Sequence, residues 1–393
     1  MKMHFSLAAL VAASCAASGA FEKIAYIDSF DYSASYETET VEGSRKIVDN
    51  VLKTGANINL WRNQSGSVPC YPSPEEQLPL KEPPLDIRRI PLNEPIRGWV
   101  RYDDCWTDPI RDAADWAAER KVVFGIHVTT EENHWESWTL GPWNLEHPQF
   151  WCCTRGGTPW PGRVSLFHPE VRDHKLRLIE ELLAYRPKMI CLDMLRSGGW
   201  TPAREYTVAV TDEWRRRYAC EPPVDAADPR WIELVEEYTR AYYRGIRERA
   251  RKTGTEMVMT VEHWGAEKDY NLVSRAVDWR RLLREDIVDS IAVACVKPDW
   301  NDPWGSTERL YRLAISEAKA ARATAKVYLP IMSYNFSGRP GYPEYAKRCK
   351  MTQAEVVTRL MKMSRAVGAD GITMEVVDLS NYSPEVCAAI RDN

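Results

Sequence analysis

The chain has 393 residues, with 52 Lys and Arg against 56 Asp and Glu and a formal net charge of −4. That length admits one large α/β domain with insertions or two domains, and the mildly acidic balance excludes the basic footprint of a nucleic-acid binder. Sixteen Trp stand beside seven Phe, most of them in polar, Pro- and Gly-rich stretches where aromatic rings line grooves and clefts.

Lys2, the apolar stretch from Leu7 to Ala13 and the small-residue site Ser18-Gly19-Ala20 predict a signal peptide over residues 1–20, followed by one domain over 21–393. Lipoprotein processing at Cys15 is the alternative. No other stretch reaches the roughly 18 apolar residues of a membrane span, so the expected location is periplasmic or secreted. Ten Cys suit a disulfide-permissive compartment. Cys191 and Cys295 read as buried strand thiols and Cys387 falls in the closing helix. Cys70, Cys105, Cys152, Cys153, Cys220 and Cys349 lie in loops or at element ends, where they could pair. No CxxC pair occurs, which argues against structural zinc, and no cofactor is implied.

In chain order, Lys23 to Asp28 reads as a first strand ending in an acid, and Val41 to Thr54 as a helix stopped by Gly55. Ala56 to Trp61 is a second strand, followed by a long Pro-rich insertion to Thr107. A helix from Asp108 to Arg120 leads into a third strand, Lys121 to Val128. A second insertion, Thr129 to Phe167, holds Trp135, Trp138, Trp143, Trp151 and Trp160. The helix from Val171 to Arg186 feeds the short apolar run Met189–Asp193, a buried strand delivering Asp193 and Arg196 to a glycine loop. A short helix over Thr211 to Tyr218 and a long one over Pro229 to Lys252 follow, the latter with an apolar stripe of Trp231, Leu234, Val235, Tyr238, Tyr242 and Ile246. The fifth to eighth strands are Glu256 to Glu262, Asp289 to Val296, Lys326 to Ser333 and Gly371 to Glu375. Helices Asp278 to Glu285, Ser306 to Ala323, Thr352 to Val367 and Ser383 to Arg391 alternate with them. Eight strands alternating with helices predict an α/β fold, a (β/α)8 TIM barrel with long βα-loop insertions after strands 2 and 3. The glycine-rich turn of an open nucleotide-binding sheet is missing after the first strand, where Asp28-Ser29-Phe30-Asp31 stands.

In such a barrel the strand ends share one face, and chemistry sits there. That face gathers Asp28, Trp61, Arg62, His127, Asp193, Arg196, Glu262, His263, Trp264, Lys297, Asp299, Trp300, Tyr334, Asn335 and Glu375. Carboxylates walled by Trp suit a sugar, because ring faces stack on sugar C–H groups and carboxylates move protons and stabilise an oxocarbenium-like charge. Asp193 and Glu262 are the expected catalytic acids, with Glu375 as runner-up. Trp61, Trp264 and Trp300 are the expected stacking platforms, and the Trp-rich insertion is expected to wall the cleft. Arg62, Arg196 and Lys297 could bind an anionic sugar. A non-catalytic glycan-binding barrel is one rival, and a metal-dependent hydrolase using His127, His263 and carboxylates is another. Oligomeric state is not legible.

His168-Pro169-Glu170-Val171-Arg172-Asp173, leading to Ile190-Cys191-Leu192-Asp193, resembles the glycosyl-hydrolase-like family 10 type of bacterial proteins. So do Asp278-Trp279-Arg280-Arg281 and Gly368-Ala369-Asp370-Gly371-Ile372. The resemblance implies an exported (β/α)8 glycoside hydrolase. Met194 stands where that family tends to have a second acid, and Glu262-His263-Trp264 where it often has a Ser-Pro-type end.

Overall fold

In the computed structural model eight strands run parallel: β1 Glu22–Ile27, β2 Ile58–Arg62, β3 Val123–Thr129, β4 Met189–Asp193, β5 Glu256–His263, β6 Ser290–Val296, β7 Lys326–Pro330 and β8 Gly371–Val376. The structure describes residues 21–27, 41–65, 68–69, 71–76, 108–129, 141–193, 201–263, 270–296, 298–331, 342–376 and 382–393. Each strand pairs with its successor, and β8 pairs with β1 to close a barrel, Glu22 opposite Gly371 and Ile27 opposite Val376. The expected (β/α)8 barrel is therefore the fold.

The outer ring consists of α1 Val41–Thr54, α2 Pro109–Glu119, α3 Pro169–Leu183, α4 Pro229–Thr253, α5 Trp279–Arg284, α6 Pro303–Ala321, α7 Gln353–Ala366 and α8 Pro384–Asp392. Their starts are written in the sequence. Asp108, Asp228, Asp278, Asp302 and Ser383 each cap a helix by accepting a backbone N–H bond. Thr352 and Glu355 form a reciprocal capping box. The long α4 ends at Gly254, whose φ of +70° is a left-handed stop that glycine adopts without strain.

Two apolar layers follow from the period-two alternation of strands. Ile24, Ile58, Leu60, Met189, Cys191, Val258, Ala292 and Tyr328 fill the barrel interior. The alternate residues meet the helices in the larger outer layer, where the expected α4 stripe, Trp231 through Ile246, is buried throughout. Gly125 belongs to the inner set. A Cβ there would meet Leu60 Cδ2 at 2.5 Å and Met189 Cγ at 2.7 Å, so the interior closes only around a glycine. At the far end of the barrel Lys326 bridges Glu22 at 3.1 Å and Glu256 at 3.4 Å.

Further short pieces of regular structure lie where the sequence reads as loop. They include a helix at Pro142–Glu146, an antiparallel hairpin of Trp151–Cys153 with Pro159–Val164, and helices at Tyr270–Arg275 and Tyr342–Cys349. Each is too short to show a hydrophobic period. The short helix after β4 spans Val208–Tyr218, three residues earlier than expected, because Thr207 caps it. Cys153, Cys220 and Cys349 carry thiols rather than disulfides, and the Cys152 thiol donates to Glu205 at 3.3 Å. Cys70 and Cys105 lie outside the described residues. No helix among the described residues is long and apolar enough to cross a membrane.

Candidate active site

The alternation that packs the interior also aims the last inward residues at the open end. Arg62 continues the inward row Ile58–Leu60, and Asp193 continues Met189–Cys191. Thr260 follows Val258, and His127 follows Gly125. Arg62 lies opposite His127 in the β2–β3 register, and Thr129 opposite Asp193 in the β3–β4 register. All are almost sealed: Arg62 is 1 %, Asp193 2 % and His127 4 % exposed.

Asp193 is the centre of this group. His127 Nε2 approaches its Oδ2 at 2.9 Å, a close contact in which the ring nitrogen and the oxygen are not aligned as a hydrogen bond. Thr260 Oγ1 lies 3.1 Å from Oδ1 and 3.2 Å from the Leu192 carbonyl, so its one proton serves either acceptor. A carboxylate this deeply buried requires such partners, since an isolated buried charge is expensive. Beneath it Tyr26 sets its ring against His127, with centroids 5.2 Å apart and planes at 71°. The Tyr26 hydroxyl is 3.4 Å from Cys191 Sγ. Burial pushes the Tyr26 phenol well above its ordinary range, and the Cys191 thiol upward as well. Tyr26 and Thr260 were not singled out from the sequence. The signal was there in parity, because each stands two residues before a flagged strand-end acid.

Trp61 is corrected. Arg62 points inward, so Trp61 must point outward, and it is fully buried in the helix-facing layer. It is a core residue and offers no face to a sugar. Asp299 is exposed, and its Oδ1 accepts from the Asn301 backbone at 2.9 Å and side chain at 3.1 Å, ordering the turn after β6. Trp300 is half-buried, with the Arg348 guanidinium 4.5 Å over its ring and Tyr345 at 5.1 Å against it. Glu262 and His263 belong to β5 and Glu375 to β8, but their side chains lie outside what is described. Asp28, Arg196, Trp264, Lys297, Tyr334 and Asn335 lie outside the described residues.

Residues 141–167 of the segment after β3 are described, and their Trp side chains pack against neighbours in the protein. Trp151 is buried, and its Nε1–H donates to the Asn144 carbonyl at 2.6 Å. Trp143 stacks on both His147 and His174, each at 4.2 Å. Trp160 carries Arg204 3.5 Å over its ring. Trp135 and Trp138 lie outside the described residues. A second buried acid anchors this region to the loop after β4. Glu205 is fully buried and accepts from Ser165 at 2.7 Å and Tyr238 at 3.2 Å, with Arg163 at 3.4 Å. Among the described residues no three His, Cys, Asp or Glu side chains gather as a metal site would require.

No family model and no curated protein sequence matches the chain. Solved structures do. The glycoside hydrolase domain of PgaB (BpsB) from Bordetella bronchiseptica is 12% identical, with a TM-score of 0.61 over 94% of this chain and 98% of that one. A β-galactosidase from the psychrophilic Marinomonas ef1 is 9% identical, with a TM-score of 0.58 over 94% of this chain and 58% of that one. The pneumococcal virulence factor StrH is 11% identical, with a TM-score of 0.51 over 96% and 83%. At such identities the likeness is one of fold, and the fold that this chain shares with these proteins is the (β/α)8 barrel.

Proposed function

We propose that the protein is an exported glycoside hydrolase that cleaves a glycosidic bond in a polysaccharide or other glycan. One observation carries the reading: a carboxylate, Asp193, is held by His127 and Thr260 at the carboxyl end of a barrel strand, where barrel enzymes keep their chemistry. A threonine hydroxyl and an imidazole nitrogen stand at its two oxygens, and a carboxylate at such a place can stabilise or attack a positive anomeric centre. The barrel fold shared with structures named as glycoside hydrolase and β-galactosidase supports the choice of substrate class.

Asp193 then acts as nucleophile or charge stabiliser, and Glu262 protonates the leaving oxygen. Glu262 stands two residues along β5 from Thr260, which already meets Asp193. Glu375 on β8 is the alternative second acid. Asp28, Arg62, His127, Arg196, His263, Trp264, Lys297, Asp299, Trp300, Tyr334 and Asn335 make up the substrate-binding set, without Trp61 and with His127 also meeting Asp193. A carboxyl separation of about 5 Å gives retention of anomeric configuration, and about 6.5–9.5 Å gives inversion.

The test is a glycan panel assayed with wild type, Asp193→Asn and Glu262→Gln. The expected outcome is release of new reducing ends by wild type and a loss of about 1,000-fold or more in the Asp193 variant, the scale on which charge-stabilising groups act. Near-wild-type rates in both variants overturn the assignment. Tight glycan binding by wild type with no cleavage at all replaces the hydrolase by a glycan-binding barrel.

A further inference from the structure

Tyr26 stands on the inner face of β1, and β2 and β3 separate that strand from β4 in the barrel order. Its side chain nevertheless reaches both strands that supply the Asp193–His127 pair. The ring lies edge-on against His127 of β3. The hydroxyl meets the thiol of Cys191, which precedes Asp193 by two residues on the same face of β4. Tyr26 thus spans the interior directly beneath the pair. Both ends of this brace are neutral, because burial holds the phenol and the thiol in their protonated forms. It therefore places no second negative charge beside the carboxylate.

An imidazole has a broad torsion about its second side-chain bond, and only one of its settings puts Nε2 at 2.9 Å from Asp193 Oδ2. His127 has Asp193 on one side and the Tyr26 ring on another. Arg62 lies opposite it in register on β2. Nothing in the Asp193 contact itself fixes the plane of the ring, since the contact is not an aligned hydrogen bond. A ring packed edge-to-face does fix it, and such pairs prefer a defined angle.

We propose that Tyr26 is a positioning residue: its ring holds the His127 imidazole in the orientation that meets Asp193, and Cys191 holds Tyr26. The proposal rests on Asp193 being the catalytic carboxylate only for its kinetic consequence. The geometric claim stands without it.

The experiment has two arms on the full chain. In the first, the ring nitrogens of the histidines are labelled with ¹⁵N, and the His127 signals are assigned by their loss in His127→Gln. Tyr26→Leu is expected to shift or broaden those signals, and Tyr26→Phe, which retains the ring, to restore most of the wild-type pattern. In the second, kcat and KM are measured on whichever glycan the wild type cleaves. Tyr26→Leu is expected to lower kcat about 10- to 100-fold, the cost of displacing a catalytic group by about 1 Å, and to change KM less than about twofold, because the lost interaction is not with substrate. Tyr26→Phe is expected to recover most of that loss. If Tyr26→Leu does not fold, Tyr26→Met, closer to the ring in volume, takes its place. The proposal is overturned if the His127 signals do not move when the ring is removed, or if Phe loses as much as Leu. Should Asp193→Asn retain activity while Tyr26→Leu still moves the His127 signals, the hydrolase assignment of Asp193 fails and the positioning role survives.

Discussion

Thr260 Oγ1 lies 3.1 Å from Asp193 Oδ1 while His127 Nε2 lies 2.9 Å from Oδ2, so a neutral hydroxyl and an imidazole divide one carboxylate between them. The two are not equivalent. Thr260 can turn its proton to the Leu192 carbonyl instead, so it supports Asp193 without being indispensable to it. Replacing Thr260 by Val keeps the shape and removes the donor. The expected cost is about 1 kcal/mol in stability, the net worth of one hydrogen bond, and a fall in kcat of about tenfold, which is 1.4 kcal/mol of barrel-mouth alignment. Urea unfolding and steady-state kinetics on the same preparation check both.

Glu205 gives a larger stability effect. Its carboxylate is fully buried, and the guanidinium that faces it, Arg163, is 3 % exposed. Glu205→Gln removes the carboxylate that the buried Arg163 guanidinium meets at 3.4 Å, with an expected loss on the order of 3 kcal/mol. The double variant Arg163→Met with Glu205→Gln should recover part of that loss, because the guanidinium is gone as well. Denaturant midpoints for the single and double variants decide it.

Gly371 is a packing constraint. A Cβ at this first residue of β8 would stand 2.2 Å from the Glu22 carbonyl oxygen of β1, a backbone atom that cannot swing aside. Gly371→Ala is expected to cost about 1–3 kcal/mol, as overpacked sites do. A thermal melt unchanged within error would show that the strand pair yields more easily than the register implies.

Alkaline pH should unfold the protein through its tyrosines. Burial pushes Tyr345 up to about 12 and holds Tyr26, Tyr238 and Tyr311 well above their ordinary range. In the unfolded chain tyrosines ionise near about 10. Below that pH both states keep the proton and the contribution is fully present. Above it the unfolded state releases protons that the folded state retains, so stability falls with rising pH, through about 12 for Tyr345. The phenolate absorbance of these four tyrosines should therefore appear together with loss of the circular dichroism signal, not ahead of it.

Most of the architecture was legible because it is written in long periodic segments with polar starts. The α4 stripe and the capping box at Thr352 and Glu355 both appear where the pattern places them. The site was legible in position and not in direction. Trp61 and Arg62 are neighbours that a list of strand-end residues treats alike, yet a strand turns one to the core and the other to the mouth. Tyr26 and Thr260 went unread because a hydroxyl in an apolar strand looks like filler until the register sets it beside an acid. The buried Glu205 sits in a loop with no period at all, so only the folded contacts of Ser165, Tyr238 and Arg163 reveal it.

The seam between β1 and β8 also bears on how the molecule comes into being. Strand β1 acquires its second neighbour only when residues 371–376 exist. Helix α8 then fastens the joint, with Lys23 Nζ donating to the carbonyls of Ile390 and Arg391 and Arg391 donating to the Lys53 carbonyl. A growing chain can assemble β1 to β7 only as an open sheet with two raw edges. Closure waits for β8, and it joins residues more than 340 positions apart, a step whose loop entropy makes it late and slow. Strand β8 and helix α8 therefore act as a latch on the strand order built before them.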